Sequence, residues 1–266
     1  MKKYLLAVSL LLAVTFGGYV GYYYNGVYID INPSAPVTSQ TKTDATTIYL
    51  MQGGEYQPFE IRGVDMGVGV PGKWATDYAV TEEMYIRWFQ QIQDMGANTI
   101  RVYTILHDDF YNAFYRYNLS ATKPLYLLHG LWVKDYKLNS SQDAYQSTFR
   151  QVLLHDSKML VDVIHGQRNI SPGMDVGSGQ YRRDISPWVL GYILGVEWEP
   201  GVVVYTNQVR EKETRYMGNY MYCSEEATPF ESLLCELGDQ LIAYESQRYK
   251  QQRLIAFSNW PTTDPF

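Results

Sequence analysis

The residue best placed for chemistry is Glu197, at the end of an apolar, strand-like segment. This segment, 188–197, ends in a carboxylate beside Trp198. An aromatic surrounding with little water raises the pKa of a carboxyl group. Such a group stays protonated near neutral pH and can act as a general acid. Glu199 has the same strand parity, but Pro200 follows it, and this favours Glu197 as the catalytic group.

Four other segments with strand-like patterns also end in polar side chains. We predict these strands at 59–65, 98–103, 124–129 and 254–259. Their terminal polar side chains are Asp65, Arg101, His129 and Asn259. A parallel barrel builds its site from successive strand ends, whereas an open doubly wound sheet uses one crevice. The distribution of these side chains therefore favours a barrel.

Helical segments separate the predicted strands. Thr81 can cap one helix and Gly96 can end it. The segment Thr228–Glu231 has the pattern of a capping box with proline at the first helical position. Alternation of strands and helices implies right-handed βαβ units and a parallel sheet. The predicted fold class is therefore α/β.

The amino terminus predicts export. Lys2 and Lys3 precede an apolar stretch, and residues 1–29 have the pattern of a signal peptide or signal anchor. No small-x-small cleavage site is evident, which favours an anchor. Residues 30–47 are rich in Pro, Ser and Thr and predict a linker. We therefore expect a membrane-tethered or secreted, extracytoplasmic domain over residues 48–266.

Charge and cysteine content narrow the possible functions. The formal net charge of −6 and the lack of a Lys/Arg cluster exclude nucleic acid as an expected partner. Cys223 and Cys235 can either form a disulfide in an oxidising compartment or remain free thiols. No Cys–His spacing suggests zinc, and we expect no metal or cofactor.

Three segments resemble the clan of retaining glycoside hydrolases with TIM-barrel domains, which includes the family 2 and family 5 enzymes. Residues 194–198 resemble the end of that clan's fourth strand, 96–101 its second strand and 59–65 its first. The resemblance implies a (β/α)8 TIM barrel preceded by the hydrophobic helix. It also implies that Glu197 is the general acid/base and that Arg101 lies near the nucleophile.

The sequence departs from that clan in two ways. Val196 stands where the clan has Asn, the residue that bonds the sugar 2-hydroxyl. The clan's nucleophile ends the seventh strand, and only five strands are predicted before Phe266. We therefore expect the N-terminal portion only, about five βα units. The nucleophile would lie beyond it, and this portion alone would be inactive.

The expected partner is an oligo- or polysaccharide. The residues predicted to contact it are Asp65, Arg101, Tyr103, His129, Trp198, Glu199, Asn259 and Trp260.

Structural roles for several of these residues stay open. Arg101 can simply form an ion pair with Asp65 or Glu197, and His129 can be a hydrogen-bonded histidine at the edge of the core. Trp198 and Trp260 can pack rather than stack on sugar rings. Asp65 and Glu199 can be loop anchors.

A second functional hypothesis is a non-catalytic, membrane-tethered polysaccharide-binding or assembly domain on a barrel scaffold. The replacement of the clan's Asn by Val196 supports this alternative.

Overall fold

The computed structural model describes residues 2–25, 28, 30, 32–134, 141–173, 175–195, 197–212 and 215–258. Its first element is helix α1 (Lys2–Asn25). Within α1, Lys2–Gly21 is long and apolar enough to cross a membrane, and none of that stretch is buried by the protein. The hydrophobic helix expected from the sequence is therefore present.

Four short strands follow, and two of them fall where the sequence predicts a linker. They are β1 (Thr38–Ser39), β2 (Thr41–Thr43), β3 (Ile48–Gln52) and β4 (Glu55–Pro58). Strands β2, β3 and β4 form an antiparallel meander, and Thr41 is almost fully buried. Residues 38–43 are thus part of the folded domain, and the predicted linker boundary at residue 47 is wrong.

The centre of the domain is a parallel sheet, and all five of its strands were predicted. Its strands are β5 (Gly63–Asp65), β6 (Thr99–Val102), β7 (Tyr126–Leu131), β10 (Val189–Leu194) and β12 (Leu254–Phe257). A hairpin of β8 (Arg168–Ile170) and β9 (Gly179–Tyr181) and a short strand β11 (Gln251–Gln252) complete the set in the described ranges. The spatial order β12-β10-β7-β6-β5 follows the chain without reversal, and over these residues the sheet is open.

Helices form between the strands, and two of them begin at the predicted capping signals. The helices are α2 (Glu82–Asp94), α3 (Asp108–Ser120), α4 (Ser147–Ile164), α5 (Pro200–Val209) and α6 (Pro229–Tyr249). The Thr81 hydroxyl accepts the Met84 N–H at the start of α2. Both bonds of the capping box form at α6, between Thr228 and Glu231. Helix α5 was not predicted.

The two faces of the parallel sheet differ in what covers them. In-register residues of parallel strands point to the same side, so Ile100, Leu127 and Val189 share one face. That face is buried in the main hydrophobic core with the helices. Asp65 and Arg101 lie on the other face. The meander meets the sheet near the amino-terminal end of β10, where the Thr41 hydroxyl donates to the Leu190 carbonyl at 3.4 Å.

A buried charge network closes the amino-terminal end of the sheet, where β12 begins. Arg253 donates through Nε to Glu245 at 2.8 Å and through Nη1 to the carbonyls of Ser186 and Val189. His165 bonds the same Glu245 carboxylate at 2.9 Å. Burial alone would raise the pKa of Glu245, but the Arg253 charge and the His165 bond hold it below its usual value.

Both cysteines are free thiols. Cys235 lies in α6, and Cys223 lies in the segment that leads to that helix. Burial, together with a hydrogen bond to Cys223, raises the pKa of Cys235 to about 12. Of the two alternatives left open by the sequence, the structure has the free pair, with the thiols side by side.

Candidate functional site

The carboxyl ends of the five parallel strands bring several predicted site residues to one edge. Asp65 ends β5, and Arg101 and Tyr103 lie at the end of β6. Ser258 directly follows β12, and Glu197 follows β10. Because parallel strands share one direction, these side chains come from distant parts of the chain to the same end of the sheet.

Arg101 is the centre of this group. Its Nη1 lies 3.8 Å from the Asp65 carboxylate, and its Nη2 donates to the Ser258 hydroxyl at 3.3 Å. The guanidinium also lies over the Tyr103 ring, 5.0 Å from the centroid. Arg101 Nε is buried and has no acceptor among the described residues. The side chain thus keeps a directed N–H donor for a further acceptor at this edge.

The pKa of Tyr103 responds to both predicted carboxylates. Burial raises the pKa of the Tyr103 hydroxyl, and its hydrogen bond to Asp65 raises it further. The negative charge of Glu197 acts on the same pKa in the same direction, which places Glu197 within electrostatic reach of the ring. Asp65, Arg101, Tyr103 and Glu197 therefore form one cluster, which we call the strand-end cluster.

A left-handed turn directs Glu197 away from the core. Strand β10 ends at Leu194, earlier than the sequence predicts, and Gly195 adopts φ +78°. A Cβ atom at Gly195 would lie 2.1 Å from the Trp198 indole nitrogen, so only glycine fits there. Glu197 is exposed. The water-poor surrounding predicted for this carboxylate is therefore wrong for the described residues.

Trp198 does not shield Glu197 from water, because its ring turns inward to the core. It is fully buried, and its indole N–H donates to the Leu194 carbonyl at 3.3 Å. The ring contacts Phe230 edge-on at 4.9 Å and Phe149 at 6.3 Å. Of the two roles left open for Trp198, packing is the one the structure has, and the ring offers no face to a sugar.

Glu199 anchors the loop and begins α5. Its carboxylate accepts the Val202 N–H at 2.9 Å as a helix N-cap. Pro200 occupies the first turn of the same helix. The carboxylate is thus engaged in holding the helix, as the structural alternative for this residue anticipated.

His129 lies on the opposite face of the sheet from the strand-end cluster. It is fully buried, and Nδ1–H donates to the Gly130 carbonyl at 3.0 Å. Nε2 then accepts from the Tyr111 hydroxyl at 2.8 Å. Burial lowers the pKa of His129 to about 4. The strand register places His129 beside Val102 and Tyr192, on the face of the sheet that the helices cover. The prediction that His129 contacts a sugar is therefore wrong.

The last two predicted contacts, Asn259 and Trp260, lie outside the described residues.

Three side chains at the same edge of the sheet were not predicted as site residues. Ser258 bonds Arg101, Trp132 follows β7 with 42% of its surface exposed, and Trp74 in the loop after β5 is 80% exposed. A tryptophan in the loop that follows a predicted strand was the available signal for both. In the described part of the chain, no group of three or more His, Cys, Asp or Glu side chains could hold a metal ion.

No known protein family matches this chain, and no curated protein matches it either. Among solved structures, a distant neighbour is the crystal structure of BpGH50, a glycoside hydrolase family 50 protein. Its TM-score is 0.38 and its sequence identity is 12%. The alignment covers 90% of this chain and 55% of the neighbour, so the chain spans about half the neighbour's length.

Proposed function

We propose that this chain is the amino-terminal part of a carbohydrate-active (β/α)8 barrel enzyme, a retaining glycoside hydrolase or transglycosidase. The observation that carries the proposal is the position of Glu197. It lies exposed after β10, at the same sheet edge as Asp65, Arg101 and Tyr103. Exposed carboxylates grouped around a cation at the strand ends are what a barrel glycosidase needs.

Strand order supports the barrel part of the proposal. An open doubly wound sheet reverses its order at a switch point, where its ligand binds. The five parallel strands here follow chain order from β5 to β12 without reversal, which is how successive strands add around a barrel.

The chemistry assigns Glu197 the role of general acid/base. Glu197 would protonate the leaving glycosidic oxygen, while a second carboxylate forms the glycosyl-enzyme intermediate. It would then remove a proton from water or from an acceptor hydroxyl. The buried Arg101 Nε–H has no acceptor in the described part, and we assign it to hold the second carboxylate or a substrate hydroxyl. The exposed rings of Trp132 and Trp74 would supply stacking surfaces.

The test is Glu197→Gln in the full-length protein, measured on aryl glycosides whose leaving groups differ in acidity. We expect kcat on substrates with poor leaving groups to fall by about 10²- to 10⁴-fold. Substrates with strongly acidic leaving groups need little protonation and should lose far less in the glycosylation step.

The matched control is Glu199→Gln, which removes the same charge two residues away. Gln can still accept the Val202 N–H, so the kinetics should stay close to those of the parent protein. Equal losses in the two variants, or unchanged kinetics in Glu197→Gln, would refute the acid/base role.

The second candidate function is a non-catalytic polysaccharide-binding or assembly domain. Val196 in place of the clan's Asn and the open setting of Glu197 favour it. In that case the full-length protein would bind soluble polysaccharides without turnover. Trp132→Ala would then weaken binding, and Glu197→Gln would leave it unchanged.

A further inference from the structure

The segment that follows helix α1 is fastened to the end of the sheet opposite the strand-end cluster. Beyond α1, the Tyr28 ring lies 5.0 Å from the Tyr249 ring and 5.1 Å from the Arg248 guanidinium. Asp30 forms an ion pair with Lys250 at 2.9 Å. Helix α1 itself touches strand β8.

A backbone contact completes this attachment. Strand β1 pairs in parallel with β11, with Thr38 opposite Gln251 and Ser39 opposite Gln252. The Thr38 N–H also donates to the Lys250 carbonyl at 2.9 Å. We call the contacts of residues 28, 30, 38 and 39 with residues 248–252 the clamp. It joins two parts of the chain more than 200 positions apart.

The clamp lies at the amino-terminal end of the parallel sheet. Residues 248–252 form the turn from α6 into β12, immediately before that strand begins. Glu197, Arg101 and Ser258 lie at the carboxyl ends of their strands. Strand β7 alone has six residues, so the two ends lie about 20 Å apart at roughly 3.3 Å per residue.

The occupant that fits α1 is a lipid bilayer. The stretch Lys2–Gly21 has 20 residues, which span about 30 Å as a helix, the thickness of a bilayer's hydrocarbon core. Its large side chains are exposed over most of that length. Lys2 and Lys3 stand at its amino-terminal end, a distribution that keeps the amino terminus on the cytoplasmic side.

We infer that the clamp holds the domain in one orientation on the extracytoplasmic surface of the membrane that α1 crosses. In this orientation the strand-end cluster faces away from the lipid. A flexible tether would let the domain tumble over the surface. Three kinds of contact, a ring pair, an ion pair and a strand pair, instead couple the segment after α1 to the turn that leads into β12. This orientation does not depend on whether the cluster is catalytic.

The experiment compares distances from the bilayer at the two ends of the domain. The full-length protein, with Cys223→Ser and Cys235→Ser, carries a single fluorophore at Lys73→Cys or at Thr122→Cys. Lys73 lies in the loop after β5 and Thr122 in the turn before β7, and both are exposed. The protein is reconstituted in phosphatidylcholine vesicles containing a headgroup-labelled acceptor, and energy transfer gives the two distances.

We expect the Thr122 label to lie closer to the lipid by about 20 Å, the length of the strands. Tyr28→Ala, Asp30→Asn and Thr38→Pro together remove the ring pair, the ion pair and the Thr38 N–H that donates to Lys250. This variant should abolish the difference while the protein stays in the vesicles. The matched control Glu55→Gln changes an exposed carboxylate of β4 outside the clamp and should preserve it. Equal distances in the parent protein, a closer Lys73 label, or a difference that survives loss of the clamp would overturn the inference.

Discussion

The two ends of the parallel sheet use charged residues in opposite ways. At the amino-terminal end, Arg253 and Glu245 are almost fully buried, and each is bonded within the chain. At the carboxyl end, Asp65 and Glu197 are exposed, and Arg101 Nε–H has no acceptor among the residues that the structure describes. The first arrangement holds the fold together, whereas the second leaves its bonding capacity for a group from outside. Substitutions at the two ends should therefore affect different properties.

The largest expected effect on stability is at the amino-terminal end. Glu245→Ala would leave the Arg253 guanidinium buried without its carboxylate partner. Breaking such a buried pair from one side costs about 3–5 kcal/mol, and we expect the free energy of unfolding to fall by this amount in urea titrations. Glu225→Ala, at an exposed glutamate in the segment before α6, is the control and should change it by less than about 0.5 kcal/mol. A similar small change in both variants would contradict the comparison.

A somewhat smaller effect should appear as a pH dependence from His129. Its pKa is lowered to about 4 in the fold against an ordinary value of 6.5, so between these pH values the unfolded chain binds the extra proton. Stability is complete above pH 6.5 and is lost as the pH falls towards 4, by about 3 kcal/mol at most. Urea titrations from pH 7 to 4 should show this loss in the parent protein and less of it in His129→Gln. Equal slopes in the two proteins would mean that the ring is hydrated.

The smallest stability effect is expected at the carboxyl end. Asp65→Asn removes a half-exposed carboxylate whose distance to Arg101 is 3.8 Å. Such exposed pairs contribute about 0–1 kcal/mol, so thermal unfolding should hardly change. Ligand binding or turnover by the full-length protein should fall instead, because Asp65 also orients Tyr103. A loss of stability above about 2 kcal/mol would assign Asp65 to the fold rather than to the site.

The central sheet could be predicted because its strands combine apolar content with turn signals at both ends. The meander of β2, β3 and β4 could not, because residues 30–47 have the Pro, Ser and Thr content of a linker. Within this range, β1 is held by pairing with β11 and β2 by pairing with β3. Thr41 in β2 also bonds the carbonyl of Leu190, which lies 149 positions away. Long-range pairing of this kind leaves no local pattern.

The site was predicted only in part, because which face a residue occupies is ambiguous in a strand that is apolar on both sides. Leu127 and Leu128 are adjacent apolar residues that point to opposite faces of the strand, so the sequence does not show which face His129 shares. Only the register with β6 places the histidine on the face that the helices cover. At Glu197, strand alternation cannot predict the side chain's direction for another reason. The strand ends at Leu194, and the turn at Gly195 redirects the chain after it. In contrast, Glu199 followed by Pro200 carried a readable helix-start signal.

The turn at Gly195 makes the direction of Glu197 depend on one ring in the core. The backbone passes against the Trp198 indole at a point where even a methyl group has no room, and that indole is wedged between Phe149 and Phe230. Any loosening of this aromatic contact changes the angle at which the chain leaves β10. The packing of a single side chain therefore sets how well the direction of Glu197 is kept on warming, and we expect that direction to be lost before the sheet melts.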